Sequence, residues 1–147
     1  MGSKAGDALV RHPSVPCISF TGGTKTAEVI GKAAAPFYKK MSLELGGKNP
    51  NIIFDDAELE ECVATSLKSS FANQGEICLC GSRIYVQRGI YDQFLKKFVA
   101  ATKALVVGDP SKPTTKMGAL ISKEHKAKVL SYIALAKELG GKIECGG

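Results

Sequence analysis

Apolar residues recur along this chain with two spacings: alternation, which marks strands, and steps of three and four, which mark helices. From the start, AGDALVRH (Ala5 to His12) reads as the end of a helix stopped by Pro13, and VPCISF (Val15 to Phe20) as a short buried strand. TGGT (Thr21 to Thr24) is the turn that follows, and TAEVIGKAAA (Thr26 to Ala35) favours a helix ended near Pro36. KMSLEL (Lys40 to Leu45) is a strand before Gly46 and Gly47, and NIIF (Asn51 to Phe54) is another. Asp55 with Glu58 forms a capping-box pattern opening a helix whose Leu59, Val63, Leu67 and Phe71 share one face. RIYVQ (Arg83 to Gln87) is a strand, and Tyr91, Phe94, Leu95, Phe98 and Leu105 mark an amphipathic helix. After a Pro- and Gly-containing connection from Gly108 to Gly118, Val129, Tyr132, Ile133 and Ala136 mark a last helix. Gly140 and Gly141 end it, and KIEC (Lys142 to Cys145) reads as a closing strand.

Strands alternating with helices predict an α/β fold with parallel sheet. The strands are few, however: two precede Gly46 and three or four follow, so neither half makes a whole doubly wound sheet. No internal repeat and no low-complexity segment interrupts the pattern.

Composition narrows the class. The 147 residues are 44% hydrophobic and 23% charged, as in ordinary globular domains, and the 16 glycines point to many turns. The net charge of +6 comes from scattered residues and pairs such as Lys39 with Lys40 and Lys96 with Lys97, which suits a solvated face. A nucleic-acid surface needs clustered Lys and Arg with exposed stacking aromatics, and here the aromatics sit at apolar-periodic positions. No apolar run reaches the length of a membrane span, and MGSKAGD (Met1 to Asp7) lacks the apolar core of a secretory signal. Gly6 stands where a myristoylation signal wants Ser or Thr. Five cysteines, Cys17, Cys62, Cys78, Cys80 and Cys145, are odd in number and irregularly spaced, which argues for a reducing, cytoplasmic setting rather than a disulfide framework.

Three places could carry chemistry. Gly22 and Gly23, between a strand and a helix, would let backbone N–H groups and the helix N-terminus face an anion such as a pyrophosphate, or would simply make a tight turn. Glu44, between Leu43 and Leu45 at a strand end, is either a desolvated carboxylate suited to general-base work or a residue that strand alternation turns to solvent. The stretch SSFANQGEICLCGS (Ser69 to Ser82) holds two thiols. Zinc would want about four ligands, and beyond Cys78 and Cys80 there is no second Cys pair and only the distant His12 and His125. A disulfide between Cys78 and Cys80 would close a strained ring. Two buried structural cysteines flanked by Ile77 and Leu79 are one reading; a nucleophile beside the polar turn Asn73 to Glu76 is the other. In an extended segment both thiols would point to the same side, and spacing alone does not choose between them.

These residues resemble the NAD(P)-dependent aldehyde dehydrogenases. LELGGKNP (Leu43 to Pro50) looks like that family's glutamate motif and FANQGEIC (Phe71 to Cys78) like its cysteine motif, in family order and at family separation. ISFTGGT (Ile18 to Thr24) resembles the cofactor turn, and VGDP (Val107 to Pro110) with MGALIS (Met117 to Ser122) a later loop. FANQGEICLC followed by SRIYVQ (Ser82 to Gln87) looks closest to the aminomuconate-semialdehyde branch.

The resemblance implies an enzyme that oxidises a small-molecule aldehyde to a carboxylic acid with NAD as cofactor, NADP not excluded. Cys78 would be the nucleophile and Glu44 the general base; Thr21, Gly22 and Gly23 would lie at the cofactor pyrophosphate, with Leu45 and Gly46 near the nicotinamide. Cys80 becomes a neighbour. Residues 1–46 would be the end of the cofactor domain and 47–147 the beginning of the catalytic domain. The fold would be the Rossmann-like parallel-sheet segments of that family, incomplete. Full-length members are homo-oligomers, without nucleic-acid or membrane partners. The turn departs from the family's common Gly-Ser-Thr in having Gly23, and Ala27 stands where a glycine is usual. The family's oxyanion Asn and ribose-binding segment have no counterpart, as expected of a middle portion with little activity alone. A non-catalytic module on the same scaffold is the competing expectation. A cysteine hydrolase would need His12 or His125 as partner to the thiol.

Overall fold

The structure, a computed structural model, describes residues 2–147. The chain divides into two compact units, one ending at Gly47 and the other running from Lys48 to Gly147.

In the first unit a π-helical turn, Gly2–Gly6, leads into helix α1 (Asp7–Arg11). Strand β1 (Cys17–Gly22), helix α2 (Thr24–Ala34) and strand β2 (Lys40–Leu45) then form a parallel crossover. The register runs from Cys17 opposite Lys40 to Gly22 opposite Leu45. The turn is shorter than TGGT suggests, because six residues of β2 hold Thr21 and Gly22 in the ladder. Only Gly23 is left, as the residue before α2. α2 buries Ala27, Ala33 and Ala34, whose small side chains let it lie close to its neighbours. Val10, Ala33 and Ala34 make the core, with Ile18 and Ile30 against it. Near Pro36 the helix tightens into a 3₁₀ turn, Ala35–Phe37, and Tyr38 at φ 51° releases the chain into β2.

The second unit holds strands β3 (Pro50–Ile53) and β4 (Arg83–Val86), parallel, with Pro50 opposite Arg83 and Ile53 opposite Val86. Helices α3 (Leu59–Phe71) and α4 (Tyr91–Lys103) pack with them. Ile53, Val63 and Phe94 are buried, and Leu59, Cys62, Ile84, Val86 and Phe98 surround them. Phe98 stacks on Phe94 at 5.3 Å and on Phe71 at 5.9 Å between centroids, so α3 and α4 are joined through aromatic faces. Helix α5 (Lys123–Glu138) buries no residue within its unit.

Two local expectations are corrected. The pattern at Asp55 is not a capping box: α3 begins after Glu58, with no side-chain cap. The Asp55 carboxylate is engaged elsewhere, accepting from Gln87 Nε2 at 2.7 Å, while Asp55 N–H donates to Gln87 Oε1 at 3.0 Å. That pair fastens the ends of β3 and β4. KIEC is not a strand either, because no neighbouring strand offers it a ladder; its Lys142 and Glu144 instead pair with each other at 2.7 Å. Leu105 lies just past the end of α4, and the connection beyond it closes through a parallel bridge between Val107 and Met117. Among the described residues no helix is long and apolar enough to cross a membrane.

Phe94 is 3% exposed and central to the second unit, so Phe94→Ala is expected to cost about 3–4 kcal/mol through lost burial and a residual cavity. Tyr132→Ala, at a 63% exposed position, is expected to change stability by less than about 0.5 kcal/mol. Urea denaturation of the two variants measures the contrast.

Candidate active site

The expected cofactor turn lies in the first unit. Thr21 and Gly22 end β1 opposite Glu44 and Leu45, and Gly23 opens α2. The two glycines serve different ends. A Cβ at Gly22 would stand 2.6 Å from Phe20 Cζ, whereas one at Gly23 would have no heavy atom within 4 Å. A side chain at Gly22 would therefore have to displace the Phe20 ring, and Gly23 is the position where an outside group can approach the backbone. The start of α2 has no side-chain cap, and Thr26 and Ala27 N–H turn back to Gly23 O at 3.0 and 3.1 Å. That leaves a helix N-terminus open to an anion. Thr21, Gly22, Gly23 and Gly46 are exposed and Leu45 is half-buried. Glu44 is exposed too, as strand alternation allowed. An apolar groove of the same unit, lined in part by Phe20, Lys25, Thr26, Val29 and Ile30, runs beside the start of α2.

The thiols lie in the second unit, in a loop built on a backbone reversal. After α3 the chain passes through Asn73 (φ 48°), Gln74 (φ 58°) and Gly75 (φ 73°), three successive residues in the left-handed region. Glycine adopts this freely and Asn readily, so the strain falls chiefly on Gln74, which must be held by contacts. The contacts are numerous. Glu76 N–H donates to Asn73 O at 3.0 Å, closing the turn, and Gln74 Nε2 donates to Ala119 O at 3.2 Å. Asn49, just before β3, donates through Nδ2 to Cys78 O at 2.7 Å and to Cys80 O at 3.2 Å. Gly81 N–H reaches Ser69 Oγ at 3.1 Å, and Ser70 Oγ donates to Gly81 O at 3.0 Å. A Cβ at Gly81 would meet Ser69 Oγ at 2.7 Å, so a larger residue there would have to displace the hydroxyl that Gly81 N–H uses.

This loop is not extended, and the two thiols do not share a side. Cys78 is exposed, while Cys80 is 5% exposed. Turning, with Cys80 N–H bonded to Ile77 O at 2.9 Å, carries Cys80 inward and leaves Cys78 out. The choice that spacing left open is thus made by the backbone: Cys78 has access and Cys80 is packed.

What escaped the sequence reading is the contacts that His125 and Asn49 make with the thiol loop. His125 Nε2 lies 2.7 Å from Glu76 Oε1, two residues from Cys78. The signal for it was Ser122, whose Oγ accepts His125 N–H at 3.1 Å and caps α5. The Glu124 carboxyl is drawn below its usual range by a hydrogen bond from its own backbone N–H and then by the Ser122 hydroxyl. Asn49 carried no signal beyond its place before a strand. The other imidazole, His12, accepts Ser14 N–H at Nδ1 at 3.2 Å and lies in the first unit. No group of three or more His, Cys, Asp or Glu side chains gathers among the described residues.

The first unit thus holds a parallel crossover with an open glycine at a helix start, and the second a loop with an accessible thiol. The family model for the aldehyde dehydrogenase family matches residues 1–147, and the chain belongs to that family. It is 61% identical over 145 residues to the 2-aminomuconic semialdehyde dehydrogenase of Mus musculus, covering 99% of this chain and 30% of that protein. It is 49% identical over 146 residues to 4-trimethylaminobutyraldehyde dehydrogenase A of Danio rerio, covering 99% of this chain and 29% of that protein. The betaine aldehyde dehydrogenase of Staphylococcus aureus, solved in complex with NAD+, superposes with a TM-score of 0.96 at 42% identity over 99% of this chain and 29% of that one. The chain thus spans about 30% of the length of the curated relatives it matches.

The reversal gives a direct test. Gly75→Ala would strain a φ of 73° and set a Cβ 2.8 Å from Ser70 O, and is expected to cost about 1–3 kcal/mol. Asn49→Ala, which removes both carbonyl contacts, is expected to cost about 1–2 kcal/mol. Hydrogen exchange should show faster exchange at Cys80 and Gly81 N–H in both variants than in the parent.

Proposed function

We propose that this chain carries the cofactor turn and thiol loop of an NAD-dependent aldehyde dehydrogenase, with residues 1–46 the end of the cofactor domain and 47–147 the start of the catalytic domain. The observation that carries the reading is the exposed Cys78 on a hydrogen-bonded loop, in a chain 61% identical to 2-aminomuconic semialdehyde dehydrogenase. That identity favours a semialdehyde as substrate.

Cys78 as thiolate attacks the aldehyde carbon, forming a C–S bond and placing negative charge on the former carbonyl oxygen. Backbone N–H groups of the Asn73 to Cys78 loop, that of Cys78 included, are the donors this chain offers to that oxygen. NAD+, when bound, supplies the hydride acceptor that turns the adduct into a thioester. Glu44 then takes a proton from water as the water attacks the thioester carbonyl, and the thiolate of Cys78 leaves with release of the carboxylic acid. The residues present suit a dinucleotide: Gly23 has free space beside its backbone, and α2 begins uncapped. Thr21 and Gly22 hold that turn in register, while Leu45 and Gly46 follow Glu44 toward the nicotinamide. Five free cysteines suit a reducing, cytoplasmic setting.

Limited iodoacetamide treatment followed by mass mapping tests the thiol assignment. Cys78 is expected to label first, and millimolar aldehyde is expected to protect it by occupying the thiol. Equal labelling of all five cysteines, or labelling indifferent to aldehyde, refutes the reading. Because the chain spans about 30% of the length of its relatives, a second reading, a non-catalytic module on this scaffold, applies to the 147 residues alone. The purified chain with aldehyde and NAD+ is accordingly expected to give no steady NADH production at 340 nm, and sustained turnover would overturn that reading.

A further inference from the structure

His125 belongs to no motif in the chemistry above, yet it is fastened to the thiol loop. Its Nε2 stands 2.7 Å from Glu76 Oε1, and both side chains are about a third exposed, at 34% and 37%. An ionised carboxylate only accepts, so the ring must carry its proton on Nε2 and donate it. The bond is therefore charge-assisted, stronger than a neutral pair at the same depth. His125 is itself fixed, because its backbone N–H is spent on the Ser122 cap and its place in the first turn of α5 follows from that. A carboxylate brought to the start of a helix is further favoured by the helix dipole. Beside this bond, Gln74 Nε2 donates to Ala119 O at 3.2 Å.

Both anchors leave the strained reversal and end on one segment, Ala119 to His125. Gln74 is one of the left-handed residues, and Glu76 follows the reversal directly. We infer that His125 is a positioning residue: through Glu76 it clasps the residue that follows the reversal, and so keeps Cys78 presented and Cys80 buried. The inference rests on the reading of Cys78 as the reactive thiol. Asn49 holds the carbonyls of Cys78 and Cys80 from β3, while His125 holds the residues ahead of them from α5. Without the second hold, the strain at Gln74 relaxes by opening the loop, and local opening is what lets a buried thiol react.

The test uses the 147-residue chain and pulse alkylation, with rates read separately at Cys78, Cys80 and Cys62. In His125→Ala the ratio of Cys80 to Cys78 labelling is expected to rise roughly fivefold, as loss of one partly exposed hydrogen bond to a charged group implies. Glu76→Ala should do the same, and His125→Ala with Glu76→Ala together should do no more than either alone. His125→Gln, whose amide can still donate to Glu76, should return the ratio to within about twofold of the parent. Cys62, half-buried against the core of the same unit, reports general loosening. If Cys62 labelling rises in step with Cys80, the role is global stability and the clasp is wrong. The clasp is equally wrong if the ratio stays unchanged in Glu76→Ala while the parent labels Cys78 selectively. Should the parent label all its thiols equally, it is the assignment of Cys78 that fails, an outcome visible before any variant is made.

Discussion

The reversal from Asn73 to Gly75 is the constraint on which the thiol loop depends. Three successive positive φ values turn the chain sharply off α3, and two fall on residues with a Cβ. Such a conformation persists only where surrounding bonds outweigh its strain. Asn49, Ser69 and Ser70 supply such bonds in the loop that follows, from the start of β3 and the end of α3, and Gln74 and Glu76 reach the segment before and at the start of α5. The elements of the second unit are thus tied to one short loop. Remove the reversal and α3 would run on, carrying both thiols away from the carbonyl anchors that now orient them.

The same economy governs the first unit, though by packing rather than hydrogen bonding. Phe20 folds its ring over Gly22 at the strand end, so a Cβ there would stand 2.6 Å from Cζ and the ring would have to move. That ring also lines the apolar groove beside α2. Gly23 next to it is unconstrained by neighbours and stays open. A glycine pair in sequence therefore divides into one structural and one accessible position, and substitution at the two sites should differ in kind: loss of packing at Gly22, loss of approach at Gly23. A Gly-Gly turn does not need the fuller glycine fingerprint to leave a helix start exposed, because the uncapped donors of α2 do not depend on a third glycine.

The sequence carried the alternation of strands and helices because burial on one face writes itself as a period. Val63 and Phe94 were legible from spacing for that reason. The short strand KIEC was misread because β-propensity describes a surface awaiting a partner, and nothing pairs with it. Asp55 was misread because a capping pattern states what a carboxylate can reach along its own chain, not that Gln87 lies 32 positions on and closer. The thiol loop was the hardest case. Residue types marked it as polar and glycine-containing, but which thiol faces out depends on a run of three positive φ angles that includes Gln74, whose residue type does not favour one. Glu76 with His125 was invisible for a related reason: the pair is separated by 49 positions and joins a loop to a helix start.

A nucleophile on a loop must satisfy two opposed demands, access for the substrate and a fixed place for the attacking atom. Burying the thiol, as with Cys80, meets the second and forfeits the first. Exposing it on a free loop does the reverse. This loop separates the demands between main chain and side chain. The carbonyl of Cys78 is bound by Asn49 at 2.7 Å, so the backbone is held, while the residue itself remains exposed. Cys80, whose carbonyl accepts from the same amide at 3.2 Å, is only 5% exposed, so the segment that bears Cys78 is packed on one side of it. The proposed nucleophile is thus set by bonds made within its own unit, while the proposed base, Glu44, belongs to the other.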